Sequence, residues 1–404
     1  MVTRNRTPLL LLAALAAAGC ASRPAEPAAP PRHALSLDSL RDTEIMRWTP
    51  AQQRLGYPNI EKLIATGTVR PGPRPRALPS APRDLSGFTY EHAGERRTID
   101  DFLRELNVVG LIAVAGGEVV LERYADGHDA ETPWTAFSVT KSITSLLFGA
   151  ALAGGHLQSL DEPVVSRVPA LAGSAYEGVS LRQLLQMTSG VSWNSDLSDP
   201  GSNTYQLSAI DKAGGLGALL RYLGELPRAH EPGAKFTYNT ADADVAAAAL
   251  RAAVGRPLSD YLTETIWRPF GMEHEAHWVL LRSGDLEHGD CCLSMTLRDQ
   301  ARVGLFALEQ GRLPDGTQAL PEGWMEESTR PGPDFPGYGY YWWLRRGGGY
   351  FASGSFGQHI EVAPAERVVV AIQGYWPKAY SDELIAHNDA FVAALVAAIA
   401  APEG

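Results

Sequence analysis

The sequence predicts an α/β (α+β) protein, in which an antiparallel sheet is flanked by helices and carries an inserted helical domain. Runs rich in β-branched and aromatic residues lie towards both ends of the chain, at 108–114, 119–124, 338–344, 360–363 and 368–373. The long stretch between them has mostly helical patterning. Strands from both ends of a chain can form one sheet when helices cover its faces.

Local signals support this order of elements. A pair of glycines separates the two early strand runs and predicts a hairpin turn. An apolar run at 138–153 ends at a second glycine pair and predicts a buried helix. Helical periodicity or capping residues predict further helices at 39–65, 180–187, 241–253, 296–310 and 384–400.

These elements divide the chain into four predicted parts. A sheet domain is formed by 39–155 together with 281–404, and a helical domain is formed by 156–280. A cleft between these two domains is the expected place for a functional site. Residues 1–20 are predicted to be a signal peptide, and 21–38 to be a linker rich in proline and alanine.

The composition is that of an ordinary globular protein. Of the 404 residues, 45% are hydrophobic and 20% are charged, which allows a large buried core. The formal net charge is −11, and the sequence contains no basic run. A nucleic-acid partner is therefore not expected, because binding to phosphates requires a basic surface.

The N-terminus has the pattern of an export signal. Arg4 and Arg6 precede an apolar stretch that is too short to span a bilayer as a helix. Small residues then lead to Cys20, which is typical of a bacterial lipoprotein processing site, where the cysteine is acylated. We expect an exported cell-envelope protein, periplasmic and held at the membrane only by a lipid on Cys20; secretion without a lipid is the alternative.

Ser138 and Lys141 are the main candidates for catalysis. Residues three apart share one face of a helix, so their hydroxyl and amine can meet if 138–153 is helical. Ser138 would then lie at the helix N-terminus, where unpaired N–H groups favour developing negative charge. A serine needs a base to take its proton, and burial of Lys141 would favour the neutral amine that can do so. The alternative is an ordinary helix start with a solvated lysine.

Two later segments could complete such a site. Tyr238, in the segment 236–240, could pass protons to a leaving group if it lies near the lysine. The glycine-edged segment 354–358 could let a substrate approach the backbone, whose N–H groups could stabilise an oxyanion. The alternatives are a core tyrosine at a turn and a tight turn between strands.

Taken together and in this order, the motifs resemble those of the serine β-lactamase-related superfamily. It includes class C β-lactamases, D-alanyl-D-alanine carboxypeptidases, family VIII esterases and 6-aminohexanoate-dimer hydrolases. The chain is most similar to the last branch, and the resemblance covers roughly Trp48 to the C-terminus. The matching segments are 133–142 (PWTAFSVTKS), 184–193 (LLQMTSGVSW), 266–273 (IWRPFGME) and 298–302 (RDQAR).

The resemblance implies a β-lactamase/transpeptidase-like fold and a serine hydrolase that needs no cofactor. Ser138 would be the acylated nucleophile, Lys141 its base and Tyr238 an acid/base group. The backbone N–H groups of Ser138 and Gln358 would form the oxyanion hole. A small-molecule ester or amide would be cleaved through an acyl-enzyme on Ser138. Sequence patterns give no oligomeric state.

Two positions depart from the family pattern and bear on the substrate. Thr240 stands where asparagine is common, and Ser355 stands where β-lactamases carry lysine and many esterases carry histidine. Together with Gly357, these residues would contact the substrate. Because the family lysine helps to bind a substrate carboxylate, its absence argues against β-lactams and peptidoglycan stems, unless Arg345 or Arg346 replaces it.

Other functions and sites stay open as alternatives. A D-alanyl-D-alanine carboxypeptidase or weak β-lactamase is the main rival, and a non-catalytic binding protein on the same scaffold is another. The aromatic run 338–343 either lines the cleft or packs as a strand. No metal is expected at His274 and His277, because they fall in a segment that resembles the family. None is expected in the segment 288–292 either, because the spaced cysteine pair of a zinc site is absent. The adjacent cysteines in 288–292 are expected to be two small buried thiols, since a bond between neighbours would be strained.

Overall fold

The main sheet has six antiparallel strands, and both ends of the chain contribute to it. The computed structural model describes residues 35–197 and 199–401. In the order of pairing, the strands are β5 (Glu118–Tyr124), β4 (Val108–Ala115), β12 (Val368–Gly374), β11 (Gln358–Ala363), β10 (Gly349–Gly354) and β9 (Trp343–Arg345). Because β4 pairs with β12, strands from the two ends of the chain share one sheet, as the sequence predicts.

Two smaller sheets lie beside the main one. The first contains, in order, β1 (Thr66–Val69), β7 (Ala276–Val279), β8 (Leu293–Met295) and β6 (Trp134–Thr135), and the second pairs β2 (Tyr90–His92) with β3 (Glu95–Arg97). The four-stranded sheet positions the functional site, because β6 leads to Ser138 and the loop between β7 and β8 returns beside it.

Helices surround the sheets. In the described part of the chain they are α1 (Pro50–Gly56), α2 (Ile60–Leu63), α3 (Ile99–Glu105), α4 (Val139–Ala153), α5 (Val164–Arg167), α6 (Leu181–Leu185), α7 (Asn203–Glu225), α8 (Thr240–Val254), α9 (Leu258–Leu262), α10 (Arg268–Phe270), α11 (Leu297–Leu308), α12 (Trp324–Ser328) and α13 (Asp382–Ala400). Short 3-10 turns lie at Asp38–Leu40, Ile45–Arg47, Tyr57–Asn59, Pro169–Leu171 and Ser355–Gly357, and a π-helical turn lies at Thr263–Trp267.

β12 shows how the main sheet is buried on both faces. Val369 and Ala371 belong to the core that contains α4 and α8, whereas Val368, Val370 and Ile372 belong to the core on the opposite side. Successive side chains of a strand point to opposite faces. The uninterrupted apolar run of this strand is therefore explained by helices that cover both faces.

α4 packs between α8 and the strands β10 and β11, and it is buried along most of its length. α8 begins at Asn239, whose side chain accepts hydrogen bonds from the N–H groups of Ala241 and Asp242. It ends at Gly255, which has a φ of +70° and closes the helix in a left-handed conformation. α4 carries Lys141 and begins directly after Ser138, and Thr240 is the first residue of α8 after its Asn239 cap.

The predicted strand at 338–344 is wrong over most of its length. Only its last two residues, Trp343 and Leu344, belong to β9, and Tyr341 has a φ of +59°, which a strand does not allow. The helix predicted at 39–65 is divided into α1, α2 and short turns. Sequence patterns do not predict β10 or α7.

The described residues from Ser36 onward form one compact unit. Within the segment 156–280, which the sequence assigns to a helical domain, β7 pairs with β1. The division into a sheet domain and a helical domain stays a prediction. Cys20, the signal peptide at 1–20 and most of the linker at 21–38 lie outside the described residues.

Candidate active site

Ser138 lies at the start of α4, after a sharp turn that follows β6. Phe137 in this turn has a φ of +45°, which is uncommon for a large side chain. Its ring contacts Tyr57 at 5.1 Å and Phe356 at 5.3 Å between centroids, and this packing holds the turn. Ser138 makes no capping hydrogen bond to its own helix, so its hydroxyl is available to other groups.

Lys141 connects the parts of the site. The residue is 1% exposed, and its Nζ lies 3.1 Å from Ser138 Oγ. Nζ also donates hydrogen bonds to Thr240 Oγ1 and to the backbone oxygen of Asp290, each at 2.8 Å. A buried amine is costly unless its hydrogen-bonding capacity is satisfied, and these three partners satisfy it.

The nature of these partners favours a lysine that acts as a base. The backbone oxygen of Asp290 can only accept a hydrogen bond, and Thr240 donates its own proton to Asp290 Oδ2 at 2.8 Å. A neutral amine has two N–H groups and one lone pair. If the N–H groups face these two acceptors, the lone pair faces Ser138 Oγ, which is the direction required to accept its proton.

Tyr238 brings a phenol to the same place. The Lys141 Nζ lies 5.3 Å from the centroid of the Tyr238 ring. This ring stacks on Trp343 at 5.8 Å and meets Tyr338 edge-on at 6.3 Å between centroids. The next residue, Asn239, caps α8, so the position of the phenol is tied to the start of that helix. Three residues that were predicted from two separate motifs therefore lie together.

The turn between β10 and β11 lies against the chain that leads to Ser138. A Cβ on Gly354 would lie 2.4 Å from the backbone oxygen of Ala136 and 3.2 Å from the Cβ of Phe137. Only glycine permits this close approach. Gly357 has a φ of +92°, a conformation that also favours glycine.

The Gln358 side chain is turned away from the site. It is 1% exposed, donates to the backbone oxygen of Gly374 at 2.8 Å and accepts from the N–H of that residue at 3.2 Å. Gln358 can therefore act only through its backbone. Ser355 is partly buried in the same turn. Roles in oxyanion binding or substrate contact stay predictions for Ser138, Gln358, Thr240, Ser355 and Gly357.

Comparison with known proteins identifies the family of the chain. The family model described as Beta-lactamase matches residues 96–373, which is more than half of the chain. The chain belongs to the beta-lactamase family. A 6-aminohexanoate-dimer hydrolase from Paenarthrobacter ureafaciens is 27% identical over 362 residues, which cover 85% of this chain and 88% of that protein.

Solved structures of similar proteins have the same fold. A Bacillus anthracis protein described as a candidate 6-aminohexanoate-dimer hydrolase aligns with a TM-score of 0.76 at 22% identity, over 86% of this chain and 94% of that one. A family VIII carboxylesterase aligns with a TM-score of 0.54 at 16% identity, over 73% and 96%. The predicted β-lactamase-like fold is confirmed, and family membership identifies the chain as a serine hydrolase.

In this beta-lactamase family member, a buried charged network continues behind Lys141. Asp290 Oδ2 lies 3.7 Å from Lys141 Nζ, and Asp290 Oδ1 lies 3.4 Å from His288 Nδ1. Burial would raise the pKa of Asp290, but the charges of Lys141 and His288 hold it well below its usual range. Burial would lower the pKa of His288, but Asp244 and Asp290 raise it well above its usual value.

Sequence reasoning considered part of this network only as possible metal ligands and did not single out Asp244. The described residues do bring His288, Asp290 and Cys291 within 4.8 Å of one another. However, Cys291 is bonded to Cys292, so its sulfur is not available as a thiolate ligand. One sequence signal does point to this network, because Asp244 lies within the alanine-rich helix α8. An acid buried in such a helix requires a charged or hydrogen-bonding partner.

Cys291 and Cys292 form a disulfide. The expectation of two separate thiols is therefore wrong. In an extended strand their side chains would point to opposite faces. Cys292 instead has a φ of +75°, and this turn places both side chains on one side. Its N–H donates to the backbone oxygen of Phe137 at 3.2 Å, so the bonded pair lies next to Asp290 and Ser138.

Aromatic residues form a wall beside Tyr238. This aromatic wall consists of Phe236, Tyr238, Phe335, Tyr338, Trp343 and Phe351. Phe335, at its outer end, is 37% exposed. Trp343 of the run 338–343 thus faces Tyr238, whereas the tyrosines of the run are buried without forming the predicted strand.

Arg345 is already paired within the protein. Its guanidinium contacts Glu361 at 2.8 Å and Asp389 at 2.9 Å, and it lies over the ring of Phe351 at 3.9 Å. A substrate carboxylate would have to compete with two carboxylates for this group. Arg345 is therefore a poor replacement for the family lysine, whereas Arg346 is exposed in the turn between β9 and β10.

Proposed function

We propose that this serine hydrolase cleaves esters or amides of small acyl groups that lack a carboxylate, through an acyl-enzyme on Ser138. The observation that carries the proposal is the separation of 3.1 Å between Lys141 Nζ and Ser138 Oγ. The other two hydrogen bonds of this amine go to acceptors, which supports its role as a base. Similarity to a 6-aminohexanoate-dimer hydrolase adds support for an amide or related substrate.

Acylation would begin when Lys141 takes the Ser138 proton and Oγ attacks the substrate carbonyl carbon. The N–H groups of Ser138 and Gln358 would stabilise the oxyanion. The alcohol or amine would leave with a proton from Tyr238, which would regain one from Lys141. Water would then attack the acyl carbonyl carbon and lose a proton to this pair. The pair would pass that proton to Ser138 Oγ, which would leave as the hydroxyl while the carboxylic acid is released.

The substrate class is inferred from the surroundings of Tyr238. The aromatic wall offers an apolar surface next to the proposed acid/base group. Ser355 replaces the family lysine, and Arg345 is engaged by Glu361 and Asp389. These features favour acyl groups without a carboxylate over β-lactams or peptidoglycan stems.

Labelling with a fluorophosphonate probe tests the nucleophile. We expect wild type to be labelled and Ser138→Ala not to be. Ser145→Ala is the matched control, because this serine lies buried on the same helix and its hydroxyl has no partner. Lys141→Ala should lower the labelling rate about 100- to 10,000-fold, the usual contribution of a general base. Labelling of Ser138→Ala at the wild-type rate would refute the proposal.

A substrate panel separates the proposed activity from its main rival. Wild type should hydrolyse p-nitrophenyl esters or linear amide oligomers and should leave a cephalosporin intact. Fast cephalosporin turnover, or stable acylation by a fluorescent penicillin, would instead favour a weak β-lactamase or a D-alanyl-D-alanine carboxypeptidase.

We also propose that the chain is exported and anchored through a lipid on Cys20. Support comes from the basic start, the short apolar stretch and the small residues before this cysteine. The full chain, expressed in a bacterium, should sediment with membranes, and Cys20→Ala should move it to the soluble fraction. Equal distribution of the two proteins would contradict the anchor.

A further inference from the structure

Four charged side chains form a continuous line that ends at the proposed base. The residues of this line, here called the charged line, are Lys141, Asp290, His288 and Asp244. Successive charged atoms are 3.7, 3.4 and 3.5 Å apart. The side chains are at most 19% exposed, so solvent screens these charges only weakly.

The two carboxylates of the charged line have additional partners that fix their positions. Asp290 Oδ2 accepts from Thr240 at 2.8 Å, and Asp244 Oδ1 accepts from the N–H of Gly289 at 3.0 Å. With a neutral imidazole at His288, two carboxylates would face a single ammonium and hold its proton strongly. With a protonated imidazole between them, the carboxylates have a second cation as partner, and the amine can lose its proton more easily.

We propose that His288, as an imidazolium between Asp290 and Asp244, is a positioning residue that allows Lys141 to act as a neutral base. The inference rests on the proposed function, because it concerns the same base. His288 acts through Asp290 and does not contact the hydroxyl of Ser138. Its effect is electrostatic, since it balances the negative charge next to the lysine.

Two unpaired atoms support this role. His288 Nδ1 and Asp290 Oδ1 are buried, lie 3.4 Å apart and have no hydrogen-bond partner among the described residues, and the same Nδ1 lies 3.5 Å from Asp244 Oδ1. Charge attraction is therefore the interaction that satisfies both. Burial and the charge of Asp290 raise the pKa of Asp244 to about 6, although His288 opposes this shift.

Other titratable groups face the charged line from neighbouring elements. Asp211 of α7 has its Oδ2 4.0 Å from His288 Nε2, which adds to the negative surroundings of the imidazole. Burial and the nearby carboxylates raise the pKa of Tyr341 well above its usual value, so this phenol stays neutral. The ring of Tyr238 lies beside Lys141. Among these described groups, His288 is thus the cation that can balance the charges of Asp290 and Asp244 when Lys141 is neutral.

The rate at which a fluorophosphonate labels Ser138, measured between pH 5 and 9, tests the inference. His288→Gln removes a positive charge, so the midpoint of the acidic limb should rise by about one pH unit, and labelling below it should slow about tenfold. The plateau at high pH should stay within about threefold of wild type. Asp244→Asn removes a negative charge and should lower the midpoint.

The double variant His288→Gln/Asp244→Asn separates an electrostatic role from a structural one. It restores the charge balance, so its midpoint should return close to that of wild type. A purely structural role would instead lower the plateau without moving the midpoint and would make the double variant worse than either single one.

Two results would overturn the inference while leaving the proposed function intact. One is a folded His288→Gln variant, judged by circular dichroism, with the wild-type midpoint. The other is an Asp244→Asn variant whose labelling midpoint is equal to or higher than that of wild type. This second result decides the question even if His288→Gln does not fold. Wild-type protein that is not labelled at any pH would refute the proposed function itself.

Discussion

The hydroxyl of Thr240 joins two parts of the site. Its Oγ1 accepts from Lys141 Nζ and donates to Asp290 Oδ2, each at 2.8 Å. The asparagine that is common here in the family could do the same, because an amide also accepts through its oxygen and donates through its nitrogen. The departure from the family pattern therefore preserves the hydrogen bonding of the lysine.

Replacement of this hydroxyl should affect chemistry more than binding. Thr240→Ala removes both hydrogen bonds, and kcat for ester hydrolysis should fall about 10- to 100-fold, because hydrogen bonds to charged groups are worth about 1.5–3 kcal/mol. Thr240→Ser is the matched control and should stay within about threefold of wild type. Steady-state kinetics would contradict this if KM rose in Thr240→Ala while kcat did not change, since substrate contact would then be its role.

The candidate residues differ in how far the sequence can predict them. Ser138 and Lys141 are three residues apart, so helix geometry alone brings them together. Tyr238 and Thr240 depend on a recognisable motif. Asp290 contacts Lys141 across 149 positions of sequence, and no local pattern encodes that contact. It depends on how the loop between β7 and β8 packs against α8.

At the level of elements, Gly289 allows this loop to approach α8. A Cβ here would lie 2.1 Å from the backbone oxygen of Ala243 and 2.6 Å from the Cβ of Ala247. The backbone oxygen of Gly289 also accepts from Thr144 of α4 at 2.9 Å. The loop is therefore held against both helices by backbone contacts, and these contacts place Asp290 beside the lysine.

Gly289→Ala should disturb stability and activity together. The added methyl group meets backbone, which cannot move aside as a flexible side chain can, so we expect a loss of about 1–3 kcal/mol in the free energy of unfolding. Gly224→Ala in α7 is the matched control, because nothing lies within 4 Å of its added Cβ. It should be neutral or stabilising by up to about 1 kcal/mol. Equal urea midpoints for the two variants would contradict this packing.

Strands and helices were predictable where their pattern was regular. The alternating core contacts of β12 match its apolar run, and α4 ends at a glycine, as its sequence indicates. The strand prediction for 338–344 was wrong because aromatic residues favour strands. In this protein they belong to an irregular segment whose side chains pack into the core. α7 lacked a clear signal, since Gly214 and Gly215 interrupt its helical conformation.

On the scale of the whole molecule, a buried acid should make folding depend on pH. Asp242 is 0% exposed; its Oδ1 accepts from Tyr176 at 2.8 Å and from Asn239 at 2.9 Å, while its Oδ2 has no hydrogen-bond partner. Burial raises the pKa of Asp242 to about 7, against an ordinary value of 3.8. The folded chain therefore keeps a proton that the unfolded chain has lost between these values.

Because the folded chain binds this proton more tightly than the unfolded chain, the free energy of unfolding should fall as pH rises. The contribution of Asp242 is fully present below about pH 4 and is lost as pH rises through about 7, so unfolding should become easier by about 2–4 kcal/mol over that range. Asp242→Asn should flatten the dependence, as measured by urea unfolding at pH 5 and pH 8. Asp42→Asn, whose carboxylate is 90% exposed, is the control and should keep the wild-type slope.

The architecture of the whole molecule was predictable for a simple reason. Strand patterns at both ends of the chain and helical patterns between them leave few ways to bury the apolar surface. The pairing of β4 with β12 agrees with that reasoning. The charged line could not be foreseen in the same way, because it depends on side chains from α4, α8 and a loop that meet only in the folded protein.

The disulfide at positions 291 and 292 has a practical consequence for work on this enzyme. Because it joins neighbouring residues, its ring is very short and removes little conformational freedom from the unfolded chain. The disulfide instead constrains the loop in which the backbone oxygen of Asp290 accepts a hydrogen bond from Lys141. Preparations made in a reducing cytoplasm and in an oxidising compartment should therefore melt at similar temperatures yet differ in specific activity. Thiol titration of each preparation should precede any comparison of rates between variants.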